Sequence, residues 1–312
     1  MSNDYRFEQL NDNNIADLVP LYLDAFKENR PVDKIRAKFN TTAFGAQNWA
    51  VLAYAADNTV AAFYALFPVT IRANGHSILA AQVGDLMTHS NHRRKGLYIT
   101  LAEKTHELAL AEGLQVIFTV PYGENASYQG FVNRLGFTNT HQMNGYYFKV
   151  PTLPLYPIIS KAALLKKMYA ACSHTIIHIL GKATTGFNHQ PGYPSVTREQ
   201  AFFNYKRSYS GFYLLKAGNT TVWFKTDRGA IKVGDVDLME TDSLQPALSL
   251  LKKIAFATGI RIIQFETSPG TTLDNKLKML ASPIQNYRIC IKNYSKLADT
   301  DFRFTFGDLD NF

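Results

Sequence analysis

Arg93, Arg94 and Lys95 stand directly before Gly96 in the run RRKGLY, and a helix-forming stretch, 97–112, follows at once. Three side-chain cations, a glycine that lets the backbone come close or take a positive φ, and a helix N-terminus with unsatisfied N–H groups make an anion site. A phosphate or pyrophosphate suits it. Further on, residues 125–137 read NASYQGFVNRLGF. Asn125 opens a short helical stretch that carries Tyr128 and closes on Gly136-Phe137. Asp85 lies on the strand that leads into the basic turn. Buried near an amine, it would be a candidate general base with a raised pKa. His89, His92 and His141 lie near the same elements and have intrinsic pKa values suited to the same work.

The elements that must position these groups follow from local pattern. Residues 78–88 predict a strand. The helix 97–112 carries Leu97, Leu101 and Leu108 on one face and stops at Gly113. Residues 116–120 predict a buried strand. Before this unit come a strand at 5–10, a helix reaching Phe26, a short helix after Pro31, and two apolar runs, 49–56 and 60–67, split by Asp57-Asn58 as in a hairpin. Asn74-Gly75 marks a turn. After Val150 come Pro151, Pro154 and Pro157. Residues 158–180 then predict one long helix with Lys161, Lys166 and Lys167, which packs between two halves or rests on an anionic membrane. Residues 181–195 are rich in Gly, Pro, Thr and Asn, as a loop is.

The last third echoes the first. Val83-Gly84-Asp85-Leu86 returns as Val233-Gly234-Asp235-Val236, followed again by a helix, a glycine (Gly259), an apolar strand (260–265) and a proline (Pro269). The second copy lacks the basic turn. It runs LMETD over 238–242, acidic where the first is basic, and should bind no pyrophosphate. The recurrence of Asp85 as Asp235 also suits a structural role, a hydrogen bond shared by both halves.

Composition narrows the classes. The 312 residues allow about two domains. With 46% hydrophobic and 19% charged residues, a sizeable core is available and global disorder is excluded. A net charge of +8 favours an anionic ligand, while no Lys/Arg run exceeds three residues, so charge alone does not select nucleic acid. Two cysteines, Cys172 and Cys290, make no disulfide framework. Neither a signal peptide nor a spanning helix is predicted, so a cytoplasmic location is expected. His174 and His178, spaced i, i+4 beside Cys172, lack further ligands and read as a helix face, so no metal is expected. There is no G-x-S-x-G, C-x-x-C, H-E-x-x-H, Walker loop or G-x-G-x-x-G.

The strand, basic glycine turn, helix, strand and Gly-Phe helix of 85–137 resemble the acyl-CoA-binding core of the GNAT superfamily of acyl-CoA N-acyltransferases. The family's turn is Arg or Gln, two residues, Gly, one residue, then Gly or Ala; Arg93 and Gly96 fit, and Tyr98 replaces the last small residue. The resemblance implies a mixed α/β sheet flanked by helices, with acetyl-CoA as co-substrate in a splayed gap between two strands. It implies cofactor contacts from Leu86, Met87, Thr88, Arg93, Arg94, Lys95, Gly96, Leu97, Tyr98 and Asn125. The family's tyrosine acid falls at Val132 here; Tyr128, one turn earlier on the same face, is the candidate in its place, with Asp85 as candidate base. The chain then divides into a GNAT domain (1–150), a linker helix and loop (151–195) and a degenerate GNAT-like domain (196–312). The function implied is acetyl transfer to a primary amine, such as an amino sugar, by a monomer or homodimer without a nucleic-acid partner. The alternatives are a non-catalytic CoA-binding GNAT fold and a tandem-GNAT aminoacyl transferase using charged tRNA.

Overall fold

The computed structural model describes residues 5–73, 75–159, 161–295 and 301–312. Asn74, of the turn expected at Asn74-Gly75, lies outside them. Gly75 takes φ 79°, as that turn requires. Strands β1 (Arg6–Gln9), β2 (Trp49–Tyr54), β3 (Val60–Ala73) and β4 (His76–Thr88) pair antiparallel in sequence order. Helices α1 (Leu18–Phe26) and α2 (Val32–Phe39) precede β2. Their buried residues Leu18, Leu21, Tyr22, Ile35 and Phe39 pack with Leu52, Phe63, Phe67 and Met87. The opposite face is covered by α3 (Leu97–Ala111) and α4 (Ala126–Asn133), whose Leu97, Leu101 and Phe131 meet Trp49, Val51 and Tyr64. Gly113 ends α3 with φ 87°, where the left-handed conformation favours glycine.

β4 and β5 (Val116–Thr119) are parallel, joined by α3 as a crossover. Their register covers only Ala80–Gln82 against Val116–Phe118. Beyond it β4 continues to Thr88, and the two strands splay. The cause lies in β4. Its register against β3 slips between Phe63↔Met87 and Ala65↔Gly84, which leaves a bulge at Asp85, a non-glycine residue at φ 49°. A bulge bends its strand and turns it away from a neighbour.

The rest of the chain contains β6 (Thr138–Lys149), α5 (Leu155–Ile159), α6 (Ala163–Leu180), β7 (Lys182–Ala183), β8 (Ser195–Val196), α7 (Gln200–Tyr209), β9 (Tyr213–Ala217), β10 (Thr220–Asp227), β11 (Ala230–Val236), α8 (Gln245–Thr258), β12 (Ile262–Thr267), α9 (Thr272–Lys278) and β13 (Ile284–Asn293). The single long helix expected over 158–180 is therefore two helices. Ala162 is extended, at φ −123° and ψ 125°, and no helix passes through such a residue.

One sheet runs through the molecule in the order β1-β2-β3-β4-β5-β13-β6-β12-β11-β10-β9-β7, with β8 on β3. The sequence β11-α8-β12-α9 repeats the order β4-α3-β5-α4, with β11 and β12 again parallel. Asp235 again follows a register slip, between Trp223 and Phe224 of the partner strand. Thr271 caps α9 through Asp274 N–H, as Asn125 caps α4 through Tyr128 N–H. At the centre the two halves exchange strands. β13 lies between β5 and β6, and β6 lies between β13 and β12. A shared core beneath them joins Val116 and Phe118 to Trp223, Phe302 and Phe304.

His106 of α3 is buried against Tyr64, its Nε2 3.0 Å from the phenol oxygen. Burial lowers its pKa to about 3, so the folded protein keeps it neutral. The unfolded chain takes up that proton near pH 6.5. Stability is therefore lost as pH falls from about 6.5 towards about 3, by a few kcal/mol in all. His106→Gln removes the titration, so its unfolding free energy should fall less over that range; urea midpoints at successive pH values measure this.

Candidate active site

The basic turn leaves β4 through a short 3-10 segment, Ser90–His92, held to α1 by Asp24, which accepts from Ser90 N–H (2.7 Å) and Oγ (3.0 Å). Arg94 and Gly96 both take the left-handed conformation, at φ 63° and 78°. This arrangement points successive amides at one place. Among the described residues, the N–H groups of Arg94 to Tyr98 find no acceptor in the chain. They face a cleft of about 580 Å³ lined by Thr88, residues 92–99, Gln129, Gly130, Asn133 and Arg134. Arg93, Arg94, Lys95 and Arg134 bring four cations to its wall, and no carboxylate lines it. Cations, free amides and a helix dipole are features that suit a polyanion of phosphate type.

Tyr98, bulky where the family motif has a small residue, fits because α4 is cut away beneath it. A Cβ at Gly130 would collide with the Tyr98 ring. The ring packs edge-on to Phe131 at 5.5 Å, and its hydroxyl donates to Ser127 carbonyl at 3.4 Å. Gly130→Ala is expected to cost about 1–3 kcal/mol by overpacking. Tyr98→Ala in the same chain should recover most of it, a coupling that a double-mutant cycle in urea measures.

The free edge of β4 borders the same cleft. His89 N–H donates to Ala61 carbonyl of β3 at 2.9 Å. By the alternation of an antiparallel pair, the backbone of Thr88 and Leu86 turns the other way, into the gap vacated by β5. Thr88 carbonyl accepts from Arg93 Nε at 3.4 Å. Met87 is buried against the α1–α2 layer.

Tyr128 and Val132 share the inner face of α4, while Gln129, Gly130, Asn133 and Arg134 present the other to the cleft. Val132 packs as a core residue. The Tyr128 hydroxyl accepts from Asn139 Nδ2 at 3.3 Å, and among the described residues its own proton has no acceptor. The Arg288 guanidinium, bound to Glu124 at 2.6 Å, lies 5.1 Å from the centre of the Tyr128 ring. Asn125 spends its side-chain oxygen on the α4 cap, accepting from Tyr128 N–H (3.0 Å) and Ser127 Oγ (2.7 Å).

On the opposite face of β4, Asp85 enters a buried cluster that sequence reasoning missed. It accepts from Tyr22 Oη at 2.6 Å and Lys38 Nζ at 2.9 Å, with Arg30 at 4.0 Å. Lys38 also donates to Asp310 at 3.0 Å. Burial opposes the Lys38 charge, but Asp310 and Asp85 outweigh it and hold its pKa above the ordinary value. Burial and the Asp85 carboxylate push the Tyr22 phenol far up. Asp85 thus spends Oδ2 on Tyr22 and Oδ1 on Lys38. The second half has a counterpart: Arg198 pairs with Asp235 and with Asp308 at 2.7 Å. Both acids that complete these clusters, Asp308 and Asp310, come from the C-terminal segment 301–312. Only their spatial placement identifies them, since nothing near them in sequence does.

The histidine candidates have partners of their own, and His89 Nδ1 accepts from Asn91 N–H at 3.2 Å. His92 Nδ1 lies 2.9 Å from Tyr5 Oη, and burial, with Lys95 beside it, lowers its pKa. His141 Nε2 lies 2.8 Å from Ser268 Oγ at the central strands. His174 and His178 pack against Tyr213, tilted and edge-on, with ring centres 5.7 and 5.8 Å away. In the second half, Asp237 accepts from Asn188 N–H (2.7 Å) and His189 N–H (3.1 Å) just beyond β11, where the first half keeps its amides free.

Residues 6–139 match the family described as Acetyltransferase (GNAT) domain. The fold of the whole chain is of the same kind. A GCN5-related N-acetyltransferase from Kribbella flavida superposes with a TM-score of 0.58 at 13% identity, over 93% of this chain and 71% of that one. A putative acetyltransferase from Pyrococcus horikoshii gives 0.54 at 15% identity, over 98% and 95%. N-myristoyltransferase of Saccharomyces cerevisiae, with bound myristoyl-CoA, gives 0.57 at 8% identity, over 95% and 80%. No curated protein sequence matches the chain. Among the described residues no helix is long and apolar enough to cross a membrane.

Proposed function

We propose that the protein transfers an acetyl group from acetyl-CoA to a primary amine. The observation that carries this reading is the cleft at the N-terminus of α3, where free amides and four cations meet beside an unpaired strand edge. The pyrophosphate fits residues 93–98. The pantetheine arm then runs along Leu86–Thr88, whose backbone groups supply the hydrogen bonds that β5 no longer makes, and an N–H there polarises the thioester carbonyl. Attack by the neutral amine forms the amide bond and releases the thiolate of coenzyme A. Tyr128, whose proton is free, is assigned to protonate that thiolate. Asp85 is assigned to ordering the bulge and the α1–α2 side of the site, and the amine loses its proton to solvent. The second half, with its amide-rich turn replaced by Asp237, is a degenerate GNAT-like unit that shapes the acceptor side; an amino sugar is our first candidate for the acceptor.

Thiol release from acetyl-CoA with a panel of primary amines tests the reading. We expect turnover that rises with pH through the pKa of the accepted amine. Tyr128→Phe should lower kcat by about 10²-fold, the low end for general acid catalysis, with KM for acetyl-CoA little changed. Binding of acetyl-CoA without turnover of any amine would make the fold a non-catalytic binder.

A further inference from the structure

One solvent-facing stripe of α6 is largely apolar, with Thr175 within it. Leu164, Met168 and Cys172 recur at i, i+4 and i+8, Ile179 continues the stripe, and Leu165 lies beside it. Leu164 and Ile179 are 70% and 77% exposed. The fold does not use this stripe, because α6 seats its other face, through Ser173 and Ile177, on the body of the protein. Two more large apolar residues are exposed on other segments. Leu153 is 77% exposed, and Thr152 Oγ1 donates to Phe256 carbonyl at 3.1 Å, which sets Leu153 beside the exposed Phe256 of α8. Exposed patches of this extent mark an interaction surface.

Charge selects the partner. From 151 to 198 the chain has no Asp or Glu, yet it has Lys161, Lys166, Lys167 and Lys182, and Lys252 and Lys253 stand one turn before Phe256. A second copy packed on this face would bring like-charged lysines together with no acid from these segments to pair with them. An anionic lipid surface satisfies both features: acyl chains receive Leu, Met, Ile and Phe, and headgroups receive lysines whose long stems reach outward. We propose that the α5–α6 face docks the protein on an anionic membrane surface.

Flotation with vesicles tests this. Vesicles of phosphatidylcholine mixed with phosphatidylglycerol should carry the full chain upward, and vesicles of phosphatidylcholine alone should not. At about 1 M salt, where the Debye length is about 3 Å, binding should weaken markedly. Leu164→Ser/Met168→Ser/Ile179→Ser keeps every charge, including those of the basic turn, and alters only exposed positions, so its thermal unfolding should match the parent. It should lose at least about tenfold in vesicle binding. The proposal is overturned if the parent fails to float with the mixed vesicles, or if the triple variant floats equally well. It is also overturned if sedimentation gives a dimer for the parent and a monomer for the triple variant, since the face would then be a seam between copies.

Discussion

Arg93→Ala/Arg94→Ala is expected to weaken acetyl-CoA binding by about 100-fold while leaving the fold intact. Both side chains are exposed on the turn, so their loss removes no core packing. Each would contribute a charge-assisted hydrogen bond to phosphate, about 1.5 kcal/mol at the modest end, and two together give about 3 kcal/mol, or about two decades in Kd. The amides of 94–98 remain, because alanine supplies the same backbone donors. Some affinity should therefore survive. For the parent, ligand at about 100 times Kd adds about 2.7 kcal/mol to stability. The double variant at the same concentration gains only about RT ln 2, or about 0.4 kcal/mol, so nearly all of the thermal shift should disappear. An undiminished shift would move the cofactor away from the turn.

The two buried ion clusters give the other large effect. Lys38→Met leaves Asp85 and Asp310 without their shared cation, and Arg198→Met does the same to Asp235 and Asp308. Removing one partner of a buried pair costs about 3–5 kcal/mol. Both variants should show losses of this size in urea unfolding. They should differ in activity. Arg198 serves the half without a basic turn, so its variant should keep kcat within about twofold where it remains folded. Lys38 holds the bulge that opens the β4–β5 gap, and its variant should lose at least about tenfold in kcat. Equal kcat in the two variants would detach the Asp85 cluster from the opening of the β4–β5 gap.

The glycine turn between β4 and α3 was legible in the sequence because strand, glycine and helix start lie within one short segment, and local rules govern each. The echo of Asp85 in Asp235 was legible for a similar reason, as a string placed before similar elements. Other features arise from contacts between residues far apart in sequence. The fit of Tyr98 over Gly130 couples α3 to α4, and the pairing of Lys38 with Asp310 spans most of the chain. Neither leaves a periodic signal. The break in the expected long helix was hidden because Ala162, a strong helix former, is extended at that point. The exchanged central strands were hidden because β6 and β13 read as ordinary strands, and nothing in a strand's own residues names its neighbours.

The position of β13 bears on how the chain is made. A ribosome delivers β1 to β5 early, but the strand that flanks β5 spans Ile284–Asn293, and Asp310 follows later still. During synthesis the nascent chain holds an open β5 edge and a half-completed bulge cluster for most of its length. Pairings of such long sequence separation form slowly, and exposed strand edges invite wrong partners. The β5 edge is thus among the last parts to be closed, although the residues of the basic turn are among the first to emerge. A fragment ending near residue 150 would carry the family's motif without the strand that closes its sheet.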